Sequence, residues 1–428
     1  MVIRLNLTRL TPRLALAVGG IAGCSLLVVI IISRFVTGTL SDDRIAVTRD
    51  MLQVPIEYFP SSPRLNARMA AAELSEGDRD LRKAEAWAQR AVNLSPNDYR
   101  FRLTLASIKE AGGDRLAAEE SLESAISLAP HYWSVHYRLG NLLVREGKLT
   151  QSLEQFRLAV TANAELLPGT LDLLWRASRA DVNTVQTAVG SDPKARLTLA
   201  QFLLKMSRPV EAASVFSSID RSDRMASPQE SSAFLNSLIA AGKLETARNL
   251  WVDFTGTEKQ SALIWNGGFE SDISKKDFTQ FEWVFGRTEY ARFAIDAEVA
   301  HTGSRSLRIE FAGRDTTQLD NEIRQLVPLQ PGRQYRLDFY ARSSGLETPE
   351  GPRVVVTDSV LSKWIAASEP VPRGSNDWQH FTVDFVAPAN ANGNAVGIDI
   401  SIKRKPKFSY DEPTRGTVWF DDFSVTER

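Results

Sequence analysis

The chain has 428 residues, which exceeds the size of a single hydrophobic core, so two or more domains are expected. Its 51 basic and 52 acidic side chains leave a formal net charge of -1, and this balance gives no reason to infer nucleic acid as the main partner. A single cysteine, Cys24, and four histidines exclude an internal disulfide and a structural zinc site of the usual Cys/His type.

The N-terminal segment carries no charged residue between Arg13 and Arg34, and residues 14–33 are predominantly apolar. A helix of these 20 residues would be about 30 Å long at ~1.5 Å per residue, which equals the thickness of the hydrocarbon core of a bilayer. The sequence therefore predicts a transmembrane helix over residues 14–33. All charged residues before this segment are basic, so the positive-inside rule predicts a cytoplasmic N-terminus over residues 1–13.

This orientation predicts a single-pass protein of a bacterial inner membrane whose remaining residues are extracytoplasmic, that is, periplasmic. A cleaved or lipid-modified N-terminus remains an alternative, because residues 21–24, Ile-Ala-Gly-Cys, resemble a lipoprotein cleavage box. The apolar run continues well beyond Cys24, however, and this favours an uncleaved anchor. Residues 34–59 are predicted to form a linker.

Between residues 60 and 257 apolar residues recur at helical spacing, and a repeat of 34 residues is visible. The segment Ala91–Pro96 is matched by Ala125–Pro130, and the two prolines lie 34 positions apart. Small and turn-forming residues keep the same phase: Ala106 with Gly140, and Gly113 with Gly147. The pattern resembles the tetratricopeptide repeat (TPR), and the resemblance implies an α-solenoid of about five or six stacked helical hairpins.

Solenoids of this kind commonly receive an extended peptide or a protein surface on their concave face, so the resemblance implies one or more protein partners. A passive spacer that only positions the C-terminal domain is the alternative. Four residues near the starts of repeats either contact a ligand or pack between hairpins: Tyr99, Trp133, Tyr137 and Arg138. The sequence does not assign them to either role.

From residue 264 onwards apolar residues alternate with polar ones, as they do in half-buried strands. In residues 306–311, for example, three apolar side chains alternate with two charged ones. The same pattern recurs at residues 336–342, 380–385, 398–402 and 418–420. The sequence therefore predicts an antiparallel β-sandwich over residues 264–428, and the fold class is multidomain, with α structure followed by β structure.

Five short motifs occur in order along this region: Asn266–Glu270, His301–Leu307, Leu329–Tyr335, Trp378–Phe381 and Phe420–Phe423. Together they resemble a carbohydrate-binding module of the galactose-binding-like jelly-roll group, and the resemblance covers essentially all of residues 265–427. It implies a jelly-roll sandwich that binds a polysaccharide. The complete predicted order is an N-terminal transmembrane helix, a TPR α-solenoid over residues 60–257 and a C-terminal antiparallel jelly roll.

The same resemblance implies a structural calcium ion that ties the first strand of the module to the last. The matching positions are Glu270, Ser304 or a neighbour, and Asp421. Calcium takes six or more oxygen ligands, and carboxylates brought together without a cation would repel each other. The alternative is that Asp421 accepts hydrogen bonds in a turn while Glu270 is solvated.

Carbohydrate recognition uses aromatic rings against the apolar faces of sugar rings, and polar side chains for the hydroxyl groups. The aromatic candidates are Trp283, Tyr290, Tyr340 and Trp364, and the polar candidates are Arg292, Asp338 and Arg342. Strand alternation predicts that Tyr340 shares a face with Asp338 and Arg342. A structural role remains the alternative for each aromatic residue.

No nucleophile elbow, phosphate-binding loop or HExxH motif occurs in the sequence, so no enzymatic activity is predicted. We therefore expect a membrane-anchored, non-catalytic scaffold whose TPR array binds protein partners and whose jelly roll binds a polysaccharide. By analogy of architecture, exopolysaccharide assembly or export is the expected setting. The alternative function is a protein–protein adaptor whose β-sandwich binds no sugar.

Overall fold

The computed structural model describes residues 10–40, 45–75, 80–255, 263–273, 278–390, 392–408, 410 and 412–428. Most of the predicted cytoplasmic N-terminus and most of the predicted junction between helices and strands lie outside the described residues. The chain divides into two compact units, Met1–Gly190 and Ser191–Arg428.

The first unit is helical. Its helices are α1 (Leu10–Leu40), α2 (Arg49–Tyr58), α3 (Pro63–Ser75), α4 (Leu81–Leu94), α5 (Tyr99–Ala111), α6 (Arg115–Leu128), α7 (Trp133–Arg145), α8 (Leu149–Ala162), α9 (Leu167–Ala177) and α10 (Val182–Val189), and a short 3-10 helix at Ala164–Leu166 precedes α9. The elements α3 to α8 form three successive helical hairpins, whose second helices begin at Leu81, Arg115 and Leu149 and so keep the predicted spacing of 34 residues.

The helix α1 covers the segment that the sequence predicts to be transmembrane, residues 14–33. Within the part of the chain that the structure describes, no helix is both long enough and apolar enough to cross a membrane. The structure therefore confirms a helix at this position and does not support a membrane-spanning one.

The predicted linker over residues 34–59 is largely helical instead. The helix α1 continues to Leu40, and α2 follows at Arg49–Tyr58. In α2, Leu52 is fully buried and Ile56 is nearly so, and both belong to an apolar cluster with residues of α3. The linker prediction is wrong for these residues, because this apolar pair gives α2 a buried face of its own.

Aspartate caps begin several helices of the repeats. Asp80, Asp98 and Asp114 each precede a helix, and each side chain accepts a hydrogen bond of 3.1 Å from a backbone N–H group of the first turn. Such caps stabilise a helix by about 1 kcal/mol relative to alanine. The helix starts are thus encoded locally.

Glycines allow the repeats to turn and to close. A Cβ atom added to Gly140 in α7 would lie 2.9 Å from the ring of Phe156 in α8, which is fully buried. Gly113 and Gly147 have φ angles of 83° and 77° at the turns, a left-handed conformation that residues other than glycine rarely adopt. The predicted roles of these three glycines are confirmed.

The second unit contains helices followed by strands. The helices are α11 (Pro193–Lys205), α12 (Pro209–Ser217), α13 (Arg221–Ala226), α14 (Pro228–Ala240) and α15 (Leu244–Thr255). The strands are β1 (Val284–Phe285), β2 (Ala291–Asp296), β3 (Ser306–Arg314), β4 (Ile323–Leu329), β5 (Gln334–Glu347), β6 (Arg353–Asp358), β7 (Trp364–Ala367), β8 (Gly374–Val386), β9 (Val396–Lys403) and β10 (Thr414–Glu427).

The strands form two five-stranded sheets, in the orders β1-β4-β9-β6-β7 and β2-β3-β10-β5-β8. All pairs are antiparallel, and β10 lies between β3 and β5, with Val418 opposite Ile309 and Phe420 opposite Ala341. Apolar side chains from both sheets share one core. The predicted antiparallel β-sandwich is confirmed: β3 to β6 alternate between the two sheets, and so do β7 to β10, while β6 and β7 are neighbours in one sheet.

The last helices pack against the sandwich within the second unit. The ring of Trp251 in α15 is 1% exposed, lies edge-on to Trp265 at 6.1 Å and to Phe281 at 5.8 Å, and its Nε1 donates to the carbonyl of Phe278 at 2.6 Å. The predicted division between residues 257 and 264 therefore separates helices from strands, but it does not separate the compact units. Residues 191–255 belong to the same compact unit as the sandwich, and Trp251 of α15 makes an apolar contact between them.

Candidate functional site

The strand β5 presents polar residues on the outer face of its sheet. Leu337, Phe339 and Ala341 are buried, whereas the residues between and after them, Asp338, Tyr340 and Arg342, are partly exposed. The alternation that the sequence predicts is thus confirmed. These three side chains form the centre of a surface that continues onto the neighbouring strands β8 and β10.

Tyr340 lies against two histidines that come from different parts of the chain. The ring of His301, in the loop between β2 and β3, stacks on Tyr340 with centroids 3.7 Å apart, and His380 of β8 lies at 4.9 Å. The Nε2 atom of His380 is 2.9 Å from Asp338 Oδ1, and Trp378 packs edge-on against His301 at 5.6 Å. His301 therefore covers ring surface of Tyr340 that a sugar would need.

Arg342 lies beside a second aromatic residue. Its guanidinium is 5.9 Å from the ring centre of Trp419 in β10, and Trp419 Nε1 donates to Asp296 Oδ2 at 2.8 Å. Burial raises the pKa of Asp296, but the hydrogen bonds from Trp419 and from the backbone N–H of Glu298, together with the charge of Arg308, outweigh burial and hold this pKa below its ordinary value. Asp296 is therefore an ionised anchor for this part of the surface.

The other predicted polar partner lies away from Tyr340. Arg292 is exposed in β2, opposite Glu310 of β3, and Tyr290 is half-buried just before β2. Because β3 and β10 separate β2 from β5, about 14 Å of sheet lies between these residues and Tyr340 at ~4.8 Å per strand. Tyr290 and Arg292 therefore do not join the β5 cluster.

Trp283 was predicted to contact sugar, and the structure places it in the core. Its side chain is 0% exposed, its ring packs against Phe423 at 5.0 Å and Phe269 at 5.4 Å, and its Nε1 donates to the carbonyl of Asn266 at 3.2 Å. A fully buried ring offers no face to a ligand. The prediction for Trp283 is wrong, because its neighbours from distant strands enclose it.

Trp364 lies in β7, at the edge of the other sheet, and is 41% exposed. It lines a cavity of about 280 Å³ together with Glu350, Arg353, Lys403 and Lys405. The Nζ atom of Lys405 is 4.9 Å from the centre of the Trp364 ring. The predicted aromatic candidates thus fall in separate places, and Trp364 is the most exposed of them.

The predicted calcium ligands Glu270 and Asp421 do lie close together, with Asp422 beside them. A Cβ atom added to Gly268 would be 3.4 Å from Asp422 Oδ1, 3.7 Å from Asp421 Oδ1 and 3.9 Å from Glu270 Cγ. We call Glu270, Asp421 and Asp422 the carboxylate cluster. It joins the opening segment of the sandwich to its last strand, the two segments that the family resemblance connects through calcium.

Protein donors occupy these carboxylates. Glu270 accepts from the backbone N–H and the hydroxyl of Ser304 at 2.8 and 2.7 Å and from Arg305 N at 3.0 Å, and these bonds, led by the Ser304 hydroxyl, lower its pKa. Asp421 is fully buried and accepts from His301 N at 2.8 Å. Burial, reinforced by the charge of Asp422, raises the pKa of Asp421 to about 6.

The donor set determines how well calcium would fit. Ser304 donates both its N–H and its hydroxyl to Glu270, so protein donors already satisfy the carboxylate that the prediction assigns to calcium. Among the residues that the structure describes, no group of three or more His, Cys, Asp or Glu side chains is placed to hold a metal ion. The structure gives the calcium site no support, and calcium stays a prediction.

Sequence reasoning missed His301, His380 and Trp378 as neighbours of Tyr340. All three residues stand in motifs that carried the family resemblance, His301 in His301–Leu307 and the other two in Trp378–Phe381. Their contact with Tyr340 depends on the pairing of β5 with β8 and on the path of the loop before β3. No local pattern in the sequence encodes that proximity.

Two family models match the chain in the regions where the structure shows helical hairpins and the sandwich. Residues 103–166 match the tetratricopeptide repeat, and residues 261–406 match a carbohydrate binding domain. The chain therefore combines tetratricopeptide repeats with a C-terminal domain of the carbohydrate-binding-module type. No curated protein matches it.

Solved structures resemble parts of the chain at low identity. A structure of MamA is 15% identical, covers 40% of this chain and 83% of its own, and has a TM-score of 0.27. A CBM4 structure is 21% identical, with coverage of 39% and 99% and a TM-score of 0.27. The Stig cyclase Fisc from Fischerella sp. TAU is 18% identical, with coverage of 39% and 96% and a TM-score of 0.28.

Proposed function

We propose that this protein is a non-catalytic scaffold that binds a protein partner through its TPR hairpins and a polysaccharide through its sandwich. The two family matches support the two binding roles, and the sequence contains none of the catalytic motifs sought above. The exposed ring of Trp364 is the single observation on which the polysaccharide role chiefly rests.

Trp364 has the chemistry that a sugar ring requires. Its indole is exposed at a sheet edge, so it can present an apolar face to a pyranose ring. The adjacent cavity contains the ion pair between Arg353 and Glu350, whose polar atoms can donate to and accept from hydroxyl groups. Lys405 lies over the ring on a flexible stem and can move aside when a ligand arrives.

Binding of the full-length chain to a panel of immobilised polysaccharides tests this role. We expect at least one polysaccharide to bind, and Trp364→Ala to weaken binding about tenfold or more, because tryptophans in binding sites are frequently hot spots. Tyr58→Ala provides a matched control, since Tyr58 is an aromatic residue of α2 that is 76% exposed. Equal loss in both variants would argue against a site at Trp364.

The alternative is a protein–protein adaptor whose sandwich binds no sugar. Burial of Trp283 and the stacking of His301 on Tyr340 favour it, because they remove two predicted sugar-binding rings. If no polysaccharide in the panel binds the full-length chain, the adaptor becomes the better account.

A setting in exopolysaccharide assembly or export and an extracytoplasmic location extend the proposal by sequence analogy alone. A reporter that is enzymatically active only outside the cytoplasm, fused after Arg428, tests the location. Activity of that fusion is the expected result. An inactive reporter in a stably produced fusion would refute the extracytoplasmic assignment and leave the binding roles untouched.

A further inference from the structure

The cavity of about 280 Å³ beside Trp364 is lined by residues from separate parts of the chain: the loop before β6, the strands β6, β7 and β9, and the segment after β9. Arg353 of β6 stands opposite Lys403 of β9, and Lys405 follows two positions later. Among the described residues, those that line this cavity include three cationic side chains and one carboxylate, that of Glu350. We call this cavity the Trp364 cavity.

Two of the three positive charges are offset by carboxylates of the protein. Arg353 forms an ion pair with Glu350. The side chain of Lys403 is 6% exposed, and its Nζ atom donates to Asp320 at 2.6 Å and to Asn321 at 3.3 Å. These pairs leave little of either charge for a ligand.

The charge of Lys405 is not offset in this way. The residue is exposed, and its Nζ atom lies 4.9 Å from the centre of the Trp364 ring. Within the part of the chain that the structure describes, no carboxylate forms an ion pair with Lys405. The attraction of an ammonium group to an exposed aromatic ring is weaker than its hydrogen bond to an anionic oxygen. An anionic ligand therefore competes successfully with the ring for this ammonium group.

A carboxylate further along the same face of the sheet is also offset. Thr357 of β6 is paired with Trp364 of β7 on one side and with Asp399 of β9 on the other, so the three side chains share one face. Asp399 thus lies about 10 Å from Trp364 at ~4.8 Å per strand. Arg324 Nη1 is 3.6 Å from Asp399 Oδ1 and offsets its charge. This carboxylate therefore opposes an anion at Trp364 only weakly.

We infer that the polysaccharide bound at Trp364 is acidic, with carboxylate or sulfate groups on its sugars. The inference rests on the proposed polysaccharide-binding role of the sandwich and specifies the class of the glycan. An apolar face of a sugar ring would replace Lys405 on the indole, and an acidic group of the same glycan would accept hydrogen bonds from the displaced ammonium. A neutral glycan would displace Lys405 without gaining that interaction, so it should bind more weakly.

Isothermal titration calorimetry with the full-length chain tests the inference. The acidic polymers are polygalacturonate, hyaluronate and dextran sulfate, which separate carboxylate from sulfate groups. Each is compared with an uncharged counterpart that keeps the sugar backbone: the methyl esters of the first two, and dextran. We expect at least one acidic polymer to bind about tenfold or more tightly than its uncharged counterpart. Added salt should reduce this preference, because the charge of Lys405 is exposed to solvent.

Variants of Lys405 test its part in the preference. Lys405→Gln should remove most of the preference for the acidic polymer, whereas Lys405→Arg keeps the charge and should retain it. Lys363→Gln is the matched control, because Lys363 is exposed and precedes Trp364 in the chain but does not line the cavity. This control should bind the acidic polymer as the wild-type chain does.

The outcomes separate this inference from the broader proposal. Equal binding of the acidic and uncharged forms, weakened by Trp364→Ala, would overturn the acidic-glycan inference and preserve the polysaccharide role. A preference that survives Lys405→Gln would also overturn it. If polyglutamate bound as tightly as the acidic polymers and Trp364→Ala did not weaken it, the site would recognise charge alone and the inference would be wrong. Failure of every polymer, charged or neutral, would count against both.

Discussion

Gly267, in the segment that opens the sandwich, is in backbone contact with Phe423, in its last strand β10. Phe423 N donates to Gly267 O at 3.0 Å, and a Cβ atom added to Gly267 would lie 1.9 Å from the carbonyl oxygen of Phe423. No side chain fits at that distance, so glycine is required here for a steric reason. The opening segment that carries Glu270 is thereby fastened to the strand that carries Asp421.

Gly267→Ala should destabilise the second unit by about 1–3 kcal/mol or more, because the backbone must move to relieve the clash. The midpoint of denaturant unfolding, followed by tryptophan fluorescence, measures the effect. Gly169→Ala is the control, since a Cβ atom at Gly169 would meet nothing within 4 Å and alanine favours the helix α9. Equal unfolding midpoints in Gly267→Ala and Gly169→Ala would contradict a close backbone contact between Gly267 and Phe423.

Gly140→Ala tests the closure of a TPR hairpin. The new methyl group would lie 2.9 Å from the buried ring of Phe156, so overpacking should outweigh the gain of about 1 kcal/mol in helix propensity. We expect a net loss of about 1–2 kcal/mol of unfolding free energy, measured by chemical denaturation. Phe156→Leu in the same background should recover part of the loss, and a stabilised single variant would contradict this account.

Trp251 tests whether α15 and the sandwich unfold together. Trp251→Ala should cost about 3–5 kcal/mol, because it empties a fully enclosed site between α15 and the sandwich. Hydrogen exchange should show reduced protection in both α14–α15 and β4, because they belong to one compact unit. Val210→Ala, at a position that is 77% exposed in α12, should change stability by less than about 0.5 kcal/mol. Loss of protection confined to the helices would contradict a shared core.

Asp421 should make the stability of the second unit depend on pH. Its folded-state pKa of about 6 lies above the ordinary value of 3.8, so the folded state binds a proton more tightly than the unfolded state. The stabilisation from this group is therefore complete below about pH 3.8 and disappears as pH rises through about 6.

Denaturant midpoints measured from pH 4 to 7 provide the test for Asp421. Asp421→Asn should lose this component of the pH dependence, together with a constant loss from the hydrogen bonds that the amide cannot accept. Asp272→Asn should retain the wild-type slope, since the Asp272 side chain is 95% exposed. A wild-type slope in Asp421→Asn would assign the titration to another group.

Calcium can be tested through the carboxylate cluster. If the ion binds as the sequence predicts, it should relieve repulsion between Glu270, Asp421 and Asp422 and raise the Tm of the second unit in the wild-type chain. Glu270→Gln should abolish that rise and leave the unfolding of the first unit unchanged. Differential scanning calorimetry with calcium and with a chelator measures both responses, and an identical wild-type Tm in the two conditions would remove calcium from the account.

The sequence by itself determined the local structure of this protein. The 34-residue phase of Ala106 and Gly140 and the turn glycines predicted the helical hairpins, and alternation predicted that Tyr340 faces away from the core. These features depend on neighbouring residues in the chain, whose helical or strand periodicity selects one buried face. The family resemblance also implied that Glu270 and Asp421 would lie close together.

Only the tertiary structure decided which of the candidate residues share a surface. Trp283 is buried by Phe269 and Phe423. His301 contacts Tyr340 from a loop, and Trp364 lies in the sheet opposite the one that contains Tyr340. Tertiary packing likewise joins residues 191–255 to the sandwich. Such contacts join residues far apart in the chain, and they depend on strand order and helix packing, which local periodicity does not specify.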